Sequence, residues 1–66
     1  MTAHVNFGMI GCGEIALQTS KAALNSRIAR VVHCMDPRQD LAAELASQHG
    51  ARHTTRAEDL LADKDV

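Results

Sequence analysis

The stretch Val5-Asn6-Phe7-Gly8-Met9-Ile10-Gly11-Cys12-Gly13-Glu14-Ile15-Ala16 decides the fold. Its first half, Val5 to Ile10, is a short run bounded by glycine whose apolar residues are too dense for a half-exposed strand. It predicts a strand covered on both faces, as in a parallel sheet. Helical spacing begins directly after the glycines and predicts a helix from about Glu14 to Ser26. Ile15, Thr19, Ala22 and Ala23 share one side, with Gln18, Lys21 and Asn25 largely on the other.

Downstream of this stretch the same alternation repeats. Ile28 to Met35, with Val31 and Val32 inside it, predicts a second strand that stops at Asp36-Pro37, where proline cannot continue a central strand. Asp40 to His49 predicts a second helix, with Leu41 and Leu45 four apart, closed by Gly50 in a left-handed cap. Ala51 to Thr54 predicts a short third strand. Thr55-Arg56-Ala57-Glu58 matches a capping box, in which Thr55 and Glu58 satisfy the first free amides of a short third helix containing Leu60 and Leu61. Asp65-Val66 stands where a fourth strand would be due. Strands alternating with helices imply right-handed βαβ crossovers, so the expected class is α/β: a βαβαβ unit with parallel strand order 3-2-1. No repeat, low-complexity tract or linker marks an internal boundary.

Chemistry enters through the small residues at Gly11, Gly13 and Ala16, the G-x-G-x-x-A form of the dinucleotide fingerprint. Gly11 permits the tight strand-to-helix turn, Gly13 lets a pyrophosphate approach the backbone, and Ala16 keeps the helix close to the sheet. Amides from Gly13 through Glu14 to Ile15, with Cys12 in the same loop, would point at phosphates with the positive end of a helix dipole behind them. A glycine turn between strand and helix can also be purely structural. Its context strengthens the binding reading, because Asp36 falls at the end of the next strand, about 20 residues beyond Ala16, where the fingerprint places a carboxylate for the adenosine ribose hydroxyls. The plainer alternative for Asp36 is a turn-starting aspartate before Pro37. A carboxylate there repels a 2′-phosphate, so NAD is expected in preference to NADP. Arg38 either pairs with a phosphate, stacks on adenine, or is a solvated loop arginine. The fold is therefore expected to be a partial Rossmann unit.

Composition narrows the partners. The 66 residues carry a formal net charge of −1, with 45% hydrophobic residues and 23% charged. A balanced charge leaves no basic stripe for nucleic acid or an anionic membrane, and no apolar run approaches the ~20 residues of a membrane span. With no signal-peptide pattern, the chain reads as cytoplasmic. At roughly half the length of a typical domain, and with much of its apolar content in alanine and a single aromatic, Phe7, it is expected to be marginal as a free-standing fold.

The remaining candidates read as structural. Cys12 and Cys34 form no C-x-x-C motif and are expected to be reduced. Cys12, at a helix N-terminus, is either a small loop filler or a thiol of lowered pKa. His49 and His53 are four apart, but Gly50 breaks the helix that would align them, so no metal site is expected. His4 is terminal, and His33, inside a strand, is expected to be hydrogen-bonded.

Taken together, Phe7 to Ala16, Met35-Asp36-Pro37, Ala43-Glu44-Leu45-Ala46 before Gly50, and Glu58-Asp59-Leu60-Leu61 resemble the N-terminal domain of the glucose-fructose oxidoreductase, inositol dehydrogenase and rhizopine-catabolism (Gfo/Idh/MocA) family. The resemblance covers essentially the whole chain. It implies an NAD(P)-dependent oxidoreductase acting on a sugar, polyol or related small molecule. It further implies that Gly11, Gly13 and the amides near Glu14 and Ile15 hold the pyrophosphate, and that Asp36, with Arg38 a candidate beside it, holds the adenosine end. The family's catalytic lysine, in a Glu-Lys-Pro motif, and its downstream histidine site have no counterpart here, so no catalytic residue is assigned. Residues 1–66 are thus expected to be the N-terminal part of a dinucleotide-binding domain, with no second domain and with homo-oligomers allowed. Two other classes use the same half-fold: a nucleotide-sensing regulatory module, and a glycosidase of the same family that uses NAD transiently.

Overall fold

The computed structural model describes residues 5–26 and 28–66; His4, and the side chains of Glu14 and Ile15, lie outside the described residues. Three strands and three helices follow in the expected order: β1 (Val5–Ile10), α1 (Glu14–Asn25), β2 (Ala29–Met35), α2 (Gln39–His49), β3 (Arg52–Thr54) and α3 (Ala57–Leu61). The strands form one parallel sheet in the order β1-β2-β3, with β2 central. The α/β class, the order 3-2-1 and the short third helix are as the alternation of periods requires.

The pairing of β1 with β2 is interrupted. Val5 to Phe7 pair with Ala29 to Val31, but Gly8 pairs with His33, so Val32 is an extra residue on β2. One inserted residue offsets the alternation of faces. Val31 and Cys34, three apart, both join the core with Cys12, Ala16, Ala42 and Leu45, while His33 turns to the other side. This core is made mostly of small side chains, and Leu45 is its largest fully buried member.

Alternation along β1 assigns the two faces of the sheet. Phe7 and Met9 line a groove with α1, and Gly8 between them faces α3, where Leu60 is buried. A Cβ at Gly8 would lie 2.7 Å from Leu60 Cδ2, so glycine is what lets α3 lie this close to the sheet. His33 hydrogen-bonds Asp63 Oδ2 through Nδ1 at 2.6 Å on this face, and Arg52 reaches the same oxygen at 2.6 Å. The hydrogen-bonded role expected of His33 is met by the segment just after α3.

Three expectations are corrected. β1 is not covered on both faces: Phe7 is 46% and Ile10 62% exposed, because the strand order leaves β1 at the edge. On α1, Thr19 and Ala22 are exposed; the helix instead seats Ala16 and Ser20, with Ala23 partly buried, because its smallest residues allow the closest approach to β2. Thr19, Ala22 and Ala23 face the apolar groove beside Phe7, which has a volume of about 300 Å³. The third correction concerns α3, whose N-cap is Arg56 with no side-chain cap. The Thr55–Glu58 box does not form. Thr54 Oγ1 accepts from the Arg56 amide at 3.1 Å and donates to Asp59 at 2.7 Å, moving the polar anchor one residue earlier, and Glu58 pairs instead with Arg56. The closure of α2 is as read: Gly50 takes φ 62°, and the Ala51 amide donates to the Ala46 carbonyl.

Candidate functional site

The site lies at the carboxyl end of the strands, where open α/β sheets place their ligands. It is built by the turn from β1 into α1 and by the end of β2. Gly11 takes φ +87°, a left-handed torsion that costs a residue with a Cβ and costs glycine little. Its amide donates to the Met35 carbonyl at 2.8 Å, closing the turn against β2. Gly13 is the N-cap of α1, contributes no side-chain cap, and has no atom within 4 Å of where a Cβ would stand. Ahead of it the first turn of α1, from Glu14, carries amides that have no partner within the helix. Ala16 is buried against the sheet, as its place in the motif requires.

Asp36 is drawn into this loop. Its Oδ2 accepts from the Cys12 amide at 2.9 Å and its Oδ1 from the Arg38 amide at 2.8 Å, while its own amide donates to the Thr54 carbonyl at 3.2 Å. Donation first from the Cys12 amide, then from the Arg38 amide, holds the Asp36 carboxyl below the usual aspartate range. It is therefore ionised at neutral pH. Each carboxylate oxygen has two acceptor sites, so each keeps one for a further donor. Arg38 is exposed beside it.

Cys12 resolves differently from the reactive alternative. Its side chain is 2% exposed and its thiol donates to the Met35 carbonyl at 3.2 Å. Burial, and next the charge of Asp36, push its pKa up and keep it a neutral thiol despite the helix terminus. Burial likewise pushes the Cys34 thiol up to about 11. Both cysteines are free. The Cys12 amide, moreover, is committed to Asp36.

The structure brings Gly11, Cys12, Gly13 and Asp36 together, with Glu14 and Ile15 opening the helix and Arg38 at the rim. Sequence reasoning missed the neighbours of Asp36: Gln39, His53, Thr54 and Thr55 line a groove of about 250 Å³ next to it. A strand ending level with Asp36 was the available signal. A larger cleft of about 370 Å³, bordered by Arg30, Val32 and His49, lies at the opposite end of the strands, away from the loop. Among the described residues, no three His, Cys, Asp or Glu side chains gather where a metal ion could be held, and no helix is long and apolar enough to cross a membrane.

No known family profile and no curated protein matches the sequence. Solved structures do. An oxidoreductase from Desulfitobacterium hafniense, described as NADPH-dependent, superposes with a TM-score of 0.90 at 26% identity over 100% of this chain. WlbA dehydrogenase from Chromobacterium violaceum, in complex with NADH and UDP-GlcNAcA, gives 0.85 at 25% identity over 96%. The WlbA dehydrogenase from Bordetella pertussis, with the same two ligands, gives 0.81 at 26% identity over 96%. The chain spans only 19% to 20% of the length of these structures. It is a partial Rossmann unit of the kind carried by dinucleotide-dependent oxidoreductases. The resemblance to the Gfo/Idh/MocA family, read first from the motifs, holds in three dimensions.

Proposed function

We propose that residues 1–66 form the N-terminal, adenosine-side part of an NAD site in an oxidoreductase acting on a sugar, polyol or related small molecule. One observation carries this reading: the open backbone face at Gly13, in the turn after β1, and the ionised Asp36, in the turn after β2, are brought side by side by the hydrogen bond from the Cys12 amide, as a ligand with a pyrophosphate and a ribose requires. Gly13 and the first amides of α1 would receive the pyrophosphate, with the helix dipole behind them. The two acceptor sites left on Asp36 would take the ribose hydroxyls. Arg38, at the rim, is positioned for the adenine face or solvent. The bound nicotinamide would supply hydride chemistry, and this chain's residues would contribute binding and orientation. Likeness to two NADH-bound dehydrogenases supports NAD, and the carboxylate at Asp36 supports it over NADP despite the NADPH-dependent neighbour. The same neighbours favour an oxidoreductase over a regulatory module.

A ¹⁵N chemical-shift titration of the chain with NAD and NADP tests the reading, since it registers affinities as weak as millimolar. The expected outcome is perturbation of the Gly13 and Asp36 amides by NAD at lower concentration than by NADP. Tighter NADP binding would overturn the cofactor assignment. Gly13→Val fills the open space and is expected to weaken NAD by at least about tenfold while the rest of the spectrum is retained. Unchanged affinity in a folded variant would reduce the glycine turn to a structural feature.

A further inference from the structure

We propose that Asp36 is also the positioning residue of the phosphate loop, holding the Gly11–Gly13 backbone in its binding conformation independently of any contact with ribose. This rests on the reading of that loop as a phosphate site and assigns it a control within the chain. Gly11 sits at φ +87° with nothing within 4 Å of its Cβ position, so neither a side chain nor packing at this residue restrains the turn. Three hydrogen bonds replace that restraint. Two go to the Met35 carbonyl, from the Gly11 amide at 2.8 Å and from the Cys12 thiol at 3.2 Å. The third, from the Cys12 amide to Asp36 Oδ2 at 2.9 Å, is the one with an ionised acceptor, and it acts on the residue directly before Gly13. Hydrogen bonds to ionised groups are about twice as strong as neutral ones. The Arg38 amide on Oδ1 fixes the other end of the carboxylate, so the group cannot rotate away to follow a ligand. The two duties do not compete, because the loop and Arg38 together use one acceptor site on each oxygen.

A consequence is that removing the carboxylate does not simply open the site to NADP. Asp36→Ala is expected to weaken NAD and NADP together, whereas Asp36→Asn keeps an oxygen for the Cys12 amide, removes the charge and narrows the preference between them.

The test uses ADP and 2′,3′-dideoxy-ADP, which lacks both ribose hydroxyls, on the unmodified chain, Asp36→Ala and Asp36→Asn. Cys12 amide hydrogen exchange is measured on the same samples without ligand. If Asp36 positions the loop, Asp36→Ala loses dideoxy-ADP binding by about tenfold or more, Asp36→Asn retains it within about threefold, and Cys12 exchange accelerates in the alanine variant. If Asp36 serves ribose alone, Asp36→Ala binds dideoxy-ADP as well as the unmodified chain and Cys12 exchange is unchanged; either result overturns the inference. Should the alanine variant unfold, Asp36→Asn decides: a tenfold loss of dideoxy-ADP binding in the folded asparagine variant also overturns it. An unmodified chain that binds neither nucleotide overturns the proposed function instead, and Cys12 exchange still decides whether the carboxylate holds the loop.

Discussion

The two helices that follow β1 and β2 meet the sheet on very different terms. α2 seats Ala42, Leu45 and Ala46 fully against β2 and β3, and its end is closed by a left-handed glycine. Among its described side chains, α1 seats the small residues Ala16 and Ser20 on the sheet, and an apolar groove of about 300 Å³ lies between the helix and β1. Stability is thus concentrated on the β2–α2–β3 side, while the candidate site hangs from the less packed side by the polar bonds of its loop. Binding loops are commonly drawn from the less stable part of a fold, and the proposed site lies on that part here, beside the sheet edge.

The largest test of this contrast is in the core. Leu45→Ala is expected to cost about 2–5 kcal/mol, enough to unfold a chain of this size, whereas Phe7→Ala on the open edge should change stability by well under 1 kcal/mol. Urea unfolding of both variants checks it. A larger loss at Phe7 would mean that the edge is covered in solution, as by a second copy of the chain, and sedimentation would register that self-association.

A sharper probe lies on the other face of the sheet. Gly8→Ala places a Cβ 2.7 Å from Leu60 Cδ2 and is expected to cost about 1–3 kcal/mol through displacement of α3. In the double variant with Leu60→Ala, the added cost of the alanine at position 8 should largely vanish. Additive losses in thermal unfolding would show that α3 does not rest on this glycine.

The smallest expected effect is on the pH dependence of the loop. The Asp36 carboxyl is lowered first by the Cys12 amide, and Asp63 is lowered first by the Asp65 amide and then by its bonds to His33 and Arg52. A lowered folded-state value means stabilisation that is present above the ordinary aspartate range, near pH 3.9, and is lost as pH falls through the native value. The melting temperature should therefore decline below about pH 4, with a shallower decline in Asp36→Asn. An acid limb of unchanged slope would count against an ionised carboxylate holding the loop.

Much of this was legible from local rules. β1 was read at its observed bounds from apolar density, the cap at Gly50 from its position after Leu45 and Ala46, and the meeting of the glycine turn with Asp36 from three small residues and a carboxylate one strand away. The anchor of α3 was misread by one residue because Thr55, with Glu58 three residues on, fits the capping-box pattern and Thr54 does not, whereas the path of β3 decides which hydroxyl faces Asp59. The buried side of α1 was misread because periodicity finds a stripe without saying what the stripe meets.

Sequence alone therefore determined the class, the order of elements and the place of the glycine turn, since these follow from period, turn chemistry and spacing within a few residues. Tertiary structure alone decided the extra residue at Val32, the approach of Leu60 to Gly8 and the bond from Cys12 to Asp36. Each of these joins residues that are far apart along the chain, and depends on how closely two backbones pack, which no local pattern encodes.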